Sequence, residues 1–596
     1  VTSVVRIGNC SGYYGDRLGA MREMLEGGDL DYLTGDYLAE LTMLILGRDL
    51  MKDASLGYAR TFVRQMTDSM ALAKDRGVRI VANAGGLNPA GLAAKLREIA
   101  AEQGLEIAVA HVEGDDLVGR ADELDLGDVL TANAYLGAFG IASALEGGAD
   151  VVVTGRVTDA SVVVGPAIAA FGWGRDDLDQ LAGAVVAGHV IECGTQATGG
   201  NFSGFAHVDM SAPLGFPIAE IAADGSCVIT KHAGTGGAVT VDTVTAQLVY
   251  EIGSPLYLGP DVSTRLDTMT LRQDGRDRVA ISGVVGEAPP ATAKVCLNAL
   301  GGFRNDVEFL LTGLDITEKA ALVQQQMESA LDAGTRPETV EWHLDRTDLP
   351  DPATQAQATS LLRLDVRSAH AEAVGRTFSD AAVQLALASY PGFSLSRPPA
   401  AASPYGTYRA AYVPQADVPH RVVAADGTVT VIPPPTGATR SATGAEVDDS
   451  PSQNLQVAPL ADRVAPLAEW AAETVRVPLG RLAYARSGDK GGDANVGVWI
   501  PADHPTRDDA YAWLVELLDE DTVRDLLPES ALLDIEIHPL PNLAAVNIVI
   551  HGLLGEGVAS STRLDPQAKG VGEWLRARDC AIPTTLLPPT IAEAAL

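Results

Sequence analysis

Positive charge is scarce in this chain: 43 lysines and arginines stand against 78 aspartates and glutamates, a formal charge of −35 over 596 residues. No segment collects the basic residues into a stripe that would neutralise a run of phosphates, so a nucleic-acid partner is excluded. Aromatic residues are also few, at 5%. Cores must therefore be filled by aliphatic and small side chains, which suits close packing of helices on a sheet. No run of about eighteen apolar residues occurs, so no membrane-spanning helix is expected. The first residues, "VTSVVRIGNCSGYYGDR", have neither a basic leader nor a long apolar core; they read as neither a secretion nor a transit signal, and the expected location is cytoplasmic. The five cysteines, Cys10, Cys193, Cys227, Cys296 and Cys580, are far apart and form no CxxC pair. That excludes a disulfide framework and a zinc ribbon.

What is present is ample material for large cores. Hydrophobic residues make up 46% and charged residues 20%, and the length suggests about four folding units of ordinary size. The first part alternates strand-like runs ("VVRIGN", "LDYLTG", "VRIVANAG", "LEIAVAHVEG", "ADVVVTG") with longer helical patterns ("YLAELTMLILGRDLM", "GYARTFVRQMTDSMALAKDRG", "PAGLAAKLREIAAEQG"). Such alternation predicts an α/β fold whose mainly parallel sheet is covered by helices. After about residue 205 β-branched runs such as "AVTVDTVTAQLVYEI" and "DRVAISGVVG" become frequent, which suggests a subdivision there. Residues 426–476 are rich in Pro, Ser, Thr and Ala and read as a linker. The last part reads strand, strand, helices, two strands and a helix, the pattern of a small open-faced sandwich at 477–580 with a tail at 581–596.

Open α/β sheets bind ligands beyond the carboxyl ends of their strands, and five segments are candidates to line that edge. "GNCSGYYGDR" places Asn9, Cys10 and Ser11 after the first strand, without the glycine spacing of a dinucleotide site and without a P-loop consensus. Cys10 is either a nucleophile, if a base lies beside it, or a small core residue. "NAGGLNPAG" offers Asn83, Gly85 and Gly86 before a helix beginning at Pro89; the turn either cradles an anion or uses its glycines for geometry alone. In "VVVTGRVTDAS" Arg156 would clamp a carboxylate or phosphate, with Asp159 orienting it or serving as base, or the two form a structural pair. In "GHVIECGTQATGGN" His189 and Glu192 stand at i, i+3 on one helix face, as an acid–base pair requires. Gly199, Gly200 and Asn201 after them read as an oxyanion cradle or as a helix-ending turn. "TKHAGTGG" repeats the theme with Lys231 as a second anion site and His232 as an acid. No set of ligands at metal spacing appears, so no metal is expected.

The densest polar segment is "RSGDKGGDANVG". A two-residue hairpin needs only Asn-Gly or Asp-Gly; this segment adds Arg486, Asp489, Lys490 and Asp493. It reads as a glycine-rich contact loop that reaches into the large domain's site or a neighbouring subunit.

Together "RIGNCSGYYGDR", "ANAGGLNP", "DVVVTGRVTDAS", "ECGTQATGGNF" and "RSGDKGGDANVGVW" resemble the acyclic terpene utilisation protein A (AtuA) family, over residues 1–425 for its large domain and 477–580 for its ferredoxin-like companion. The resemblance implies catabolism of acyclic terpenoid or branched acids through coenzyme A thioesters, beside biotin-dependent carboxylases and enoyl-CoA hydratases. It carries over no catalytic residue. Two functions follow. The first is an acyl-CoA lyase or hydratase working by proton abstraction and oxyanion stabilisation, with Asp159, His189, Glu192 and His232 as acids and bases. Asn9, Ser11, Asn83, Arg156, Lys231 and the glycine segments would bind a substrate that contains coenzyme A, with no tightly bound cofactor. The second is a non-catalytic CoA-ester-binding subunit of a carboxylase or hydratase. A homo-oligomer is expected in either case.

Overall fold

The computed structural model describes residues 4–435 and 473–588. The chain divides into two compact units, Val1–Asn298 with Tyr408–Val558 and Asp565–Leu596, and Ala299–Thr407 with Ala559–Leu564.

Five parallel strands form the centre of the first unit: β1 (Val4–Asn9), β2 (Tyr32–Gly35), β3 (Arg79–Ala82), β4 (Val109–Glu113) and, after a separate short β5 (Thr131–Ala134), β6 (Val151–Thr154), in the order β1-β2-β3-β6-β4. The parallel set is extended by antiparallel strands at both edges, beginning with β7 (Pro217–Ala222) beside β1, followed by β8 (Cys227–Lys231). Every residue of β6, "VVVT", is buried, as expected of a parallel strand covered on both faces. The covering helices include α1 (Ala20–Gly27), α2 (Glu40–Lys52), α3 (Arg60–Arg76), α4 (Pro89–Glu102), α5 (Phe139–Glu146), α6 (Ser161–Phe171) and α7 (Leu178–Ile191). Helices α6 and α7 carry few polar residues and are buried almost all round, the pattern of helices inside a large core. Gly188 of α7 lets the helix rest on Ala160, to which a Cβ would come within 2.9 Å.

Two expectations need correction, and one element defies its composition. The change of texture near residue 205 is no boundary, because β7 and β8 join the same sheet as β1. Despite its β-branched composition, the run "AVTVDTVTAQLVYEI" contains a helix, α8 (Val241–Leu248). A reciprocal capping box, with the Thr240 hydroxyl accepting from the Thr243 amide and the Thr243 hydroxyl from the Thr240 amide, starts the helix and overrides the β-branched composition. The linker begins later than 426, since Val429–Val431 pairs with Arg421–Val423 at the edge of the large sheet; the rest of the expected linker, 436–472, lies outside the described residues.

In the second unit the strand Thr359–Ser368 pairs antiparallel with Thr339–Asp345 and with the later part of the long strand Thr292–Thr312. Its residues alternate in burial, and Leu362, Leu364 and Val366 pack with Val323 and Met327 of the helix Ile316–Ala333.

The small domain is a four-stranded antiparallel sheet, ordered Tyr484–Lys490, Asp493–Trp499, Ala545–Ile550 and Ile535–Leu540. Ala494, Val496 and Val498 turn one face to the helices Arg507–Leu517 and Val571–Arg576. A further pair, Thr474–Pro478 with Asp579–Pro583, carries this domain past residue 580 into the expected tail.

The segment "RSGDKGGDANVG" is not a loop. Lys490 pairs directly with Asp493, so only Gly491 and Gly492 form the turn, with Gly491 at φ +69°, and the polar residues lie on the strands. Its other glycines serve the second sheet face, which rests on the chain after α8. A Cβ at Gly488 would strike the ring of Tyr250, and one at Gly497 would strike Val249. On this face Trp499 stacks with Phe202 and donates to Asp242. Replacing Gly497 by valine is expected to lower the thermal midpoint by the equivalent of about 1–3 kcal/mol through overpacking, measured by calorimetry; an unchanged midpoint would mean that the face is not packed there.

Candidate active site

The carboxyl ends of β1, β2, β3 and β6 bring Asn9, Asp36, Asn83 and Arg156 together. Asn83 donates to the Asp36 carboxylate (2.6 Å) and accepts from the Tyr37 amide (2.7 Å). Asn9 donates to the backbone oxygen of Glu192 (3.3 Å), and its own oxygen accepts from the Ser11 amide. These two asparagines use their side chains to fix the loops above the sheet. Arg156, 2% exposed, donates to Asp159 (2.8 Å) and to the Leu38 carbonyl (3.0 Å), with its guanidinium 4.3 Å from the centre of the Tyr135 ring. Its Nε has no hydrogen-bond partner. Asp115 accepts from the Arg156 amide and fixes its backbone.

At the end of α7, His189 Nδ1 lies 3.1 Å from Glu192 Oε1, both side chains almost fully buried, as the i, i+3 spacing predicts. Neither His189 Nε2 nor Glu192 Oε2 has a partner. Buried polar atoms without partners are costly in a folded protein, and this residue pair holds two of them. Tyr257 lies beside the imidazole, ring centres 5.1 Å apart.

The small domain closes this site. Lys490 donates to the backbone oxygen of Glu251 (2.7 Å) and lies 5.6 Å from the Tyr257 ring. Arg486 lies 4.1 Å over the Tyr250 ring and hydrogen-bonds Gln196, and Asn495 accepts from the Glu251 amide (2.7 Å). Lys569 contacts the Tyr250 hydroxyl and stands 3.7 Å from Glu251 and 4.0 Å from Asp489. Lys294, opposite, is 3.8 Å from Glu40, whose carboxylate also accepts from the Tyr135 hydroxyl (2.6 Å).

Burial and crowding reshape the acids and bases here. Burial, reinforced by the carboxylates of Asp159 and Glu251, pushes the Glu192 carboxyl well above the usual range, and burial with Asp159 does the same to Asp36. Burial also raises Asp159 against the pull of Arg156, and raises Asp489 to about 7. His189 is lowered to about 4 by burial and then by the Lys490 ammonium; Lys490 is lowered by burial and by Lys294. Glu40 goes the other way: burial opposes it, but Lys294 and Arg156 hold it down to about 2. Burial thus favours the neutral imidazole of His189 and the uncharged form of the Glu192 carboxyl.

Other residues singled out in the sequence lie elsewhere. Lys231 donates to the Thr235 carbonyl (2.9 Å) and faces Asp277, while His232 hydrogen-bonds the α1 backbone at Met24 and fills the space beside Gly27 and Gly28. Both are held by their own neighbourhood. The amides of Gly199 and Gly200 donate to Gln196 and Thr195 carbonyls, and Asn201 is exposed in a left-handed turn; this segment ends a helix and offers no free oxyanion cradle. Gly85 is packed against Thr154 and Pro89, and the Gly86 amide donates to Asn83. Ser11 donates to Tyr13. Asp493 accepts from Gly552 and lies 3.1 Å from His551. Cys10 is buried and its thiol pushed up to about 12 by burial, so it is a core residue and no nucleophile. Among the described residues no group of three His, Cys, Asp or Glu side chains is arranged to hold a metal ion, and no helix is long and apolar enough to cross a membrane.

Asp36, Glu40, Tyr135, Glu251, Tyr257, Lys294 and Lys569 complete this cluster of side chains without having stood out in the sequence. Asp36 was within reach of the strand-end rule that found Asn9; Glu251 and Lys294 come from distant elements and left no local signal.

The model of the acyclic terpene utilisation family protein AtuA matches residues 5–424, and that of the AtuA ferredoxin-like domain matches 477–580. No curated protein and no solved structure matches the chain.

Proposed function

Since the chain belongs to the AtuA family of acyclic terpene utilisation, we propose that this cleft binds an acyl-CoA thioester and moves a proton on the carbon next to its carbonyl, as a lyase or hydratase does. The observation that carries this reading is the buried His189–Glu192 pair, each member with an unpartnered atom, beside the cations Arg156 and Lys490. A neutral His189 has a lone pair for the α-proton. When the Cα–H bond breaks, its electron pair moves to the thioester oxygen, where Arg156 and Lys490 supply the positive charge that stabilises an enolate. The enolate then returns its electrons to expel a β-substituent, and the protonated Glu192 supplies the proton that the leaving group needs. With the Gly199 and Gly200 amides engaged, stabilisation of the oxyanion rests on side chains.

Thermal unfolding of the purified chain with free CoA, butyryl-CoA and branched acyl-CoA esters tests the binding half. An ester at about 100 times its dissociation constant stabilises by about 2.7 kcal/mol, and the expected result is a rise in midpoint that Lys490→Met diminishes. No rise with any ester would overturn the reading. A rise without turnover would favour a CoA-ester-binding subunit that works with a carboxylase or hydratase.

A further inference from the structure

The proposed chemistry uses Arg156 and Lys490 and leaves Lys294 unused. Lys294 lies next to β5, where its carbonyl accepts from the Tyr135 amide (2.9 Å). Its ammonium is 4.9 Å from the centre of the Tyr135 ring and 5.9 Å from that of Tyr408. The same Tyr135 ring carries the Arg156 guanidinium at 4.3 Å, so one tyrosine lies between two cations. The only carboxylate in ion-pair reach of Lys294 among the described residues is Glu40, at 3.8 Å, and Glu40 already accepts the Tyr135 hydroxyl at 2.6 Å. Lys294 also keeps 32% of its side-chain surface exposed. It is a half-open ammonium beside the Tyr135 and Tyr408 side chains, paired with a Glu40 carboxylate that it shares with the Tyr135 hydroxyl.

A second cationic group is built on the small domain. Arg486 and Lys569 lie 4.1 and 4.6 Å from the centre of the Tyr250 ring. This second group adjoins Lys490, which donates to the backbone oxygen of the same Glu251 whose carboxylate faces Lys569. The Tyr250 group suits the phosphates of coenzyme A, whereas Lys294 shares the Tyr135 ring with Arg156 and so lies on the side of the acyl part.

We infer that Lys294, with Tyr135 and Tyr408, is a carboxylate subsite, and that the substrate is a half-thioester of a dicarboxylic acid whose free carboxylate binds there. The inference rests on the proposed acyl-CoA reading and adds a second anionic group to the acyl part. A carboxylate on an ammonium forms a charge-assisted hydrogen bond, which in a partly desolvated site contributes enough for a preference of about tenfold or more.

Titration calorimetry with glutaryl-CoA and butyryl-CoA separates the possibilities. The wild-type chain is expected to bind glutaryl-CoA at least about tenfold more tightly. Lys294→Met should bring the two esters to near parity by weakening glutaryl-CoA alone, and Lys294→Arg should keep the preference. Equal wild-type affinities, or a Lys294→Met variant that weakens both esters alike, would overturn the subsite while leaving the acyl-CoA reading in place. Failure of both esters and of free CoA to bind would remove the acyl-CoA reading and the subsite with it.

Discussion

Replacing Arg156 by methionine is expected to lower folding stability by about 3–5 kcal/mol and to abolish binding of acyl-CoA. The guanidinium is almost wholly buried, pairs with Asp159, and shares the space of Asp36 and Glu40. Removing one partner of a buried charge set leaves the others without compensation, which is the costly way to break such a set. Methionine keeps the apolar packing of the stem, so the loss reports the charge. Arg156→Lys separates two roles. It keeps the charge but loses the planar fork that serves Asp159 and Leu38 and the flat face on Tyr135; it should recover part of the stability and little of the binding. Chemical denaturation with calorimetric binding measures both, and an Arg156→Met variant as stable as the wild type would show that Asp159 and Glu40 do not depend on its charge.

The second large effect concerns His189 and Glu192. Removing a positioned acid or base slows proton transfer by about 10²–10⁴-fold, so His189→Gln and Glu192→Gln are each expected to fall in that range while still binding the ester. The pH profile carries the sign. His189 acts as a base only when neutral, and with its folded value near 4 activity should fall as pH drops through about 4, and not through 6.5. Glu192 acts as an acid only when protonated, so the alkaline limb lies well above the usual carboxylate range. Stability responds to the same shift. Below 6.5 the unfolded His189 takes up a proton that the folded one refuses until about 4, so this residue makes the fold less stable as pH falls through that window. The buried, raised carboxylates Asp36 and Glu192 act oppositely, favouring the folded state as pH falls. The difference between wild type and His189→Gln isolates the histidine. Between pH 6.5 and 4 the stability of the wild type should fall relative to that of His189→Gln as pH is lowered, by calorimetry across pH; a difference that does not change with pH would place a histidine of ordinary basicity in the folded protein.

Much of this site was legible because two local rules hold without tertiary information. Side chains after parallel strands meet at one sheet edge, which brought Asn9, Asn83 and Arg156 together, and i, i+3 spacing on a helix brought His189 to Glu192. The same edge rule misplaced Lys231, whose strand β8 lies beyond the antiparallel β7 and whose ammonium turns to Asp277. Histidine beside lysine and glycine in "TKHAGTGG" gave no sign that His232 would fill the space beside Gly27 and Gly28. Glycine density misled differently. In "RSGDKGGDANVG" it reads as loop freedom, whereas Gly488 and Gly497 are small because Tyr250 and Val249 lie against them, a contact between segments about 240 residues apart. Lys294 and Glu251 belong to the same class: their meaning is set by what distant elements bring beside them. Nothing in the sequence marked Ala299–Thr407 as a unit of its own, since nothing in a strand's sequence states which sheet it will join.

Removal and return of a proton beside a thioester carbonyl is the step on which the proposed chemistry depends, and hydrogen exchange reads that step even while the β-substituent is unidentified. Glutaryl-CoA and branched acyl-CoA esters incubated with the chain in D2O would be followed by mass spectrometry and NMR. Deuterium is expected at the α-carbon with the wild type, and its loss in His189→Gln and Glu192→Gln variants that still bind. Esters that bind and acquire no deuterium, or exchange that both variants retain, would contradict proton transfer by this pair.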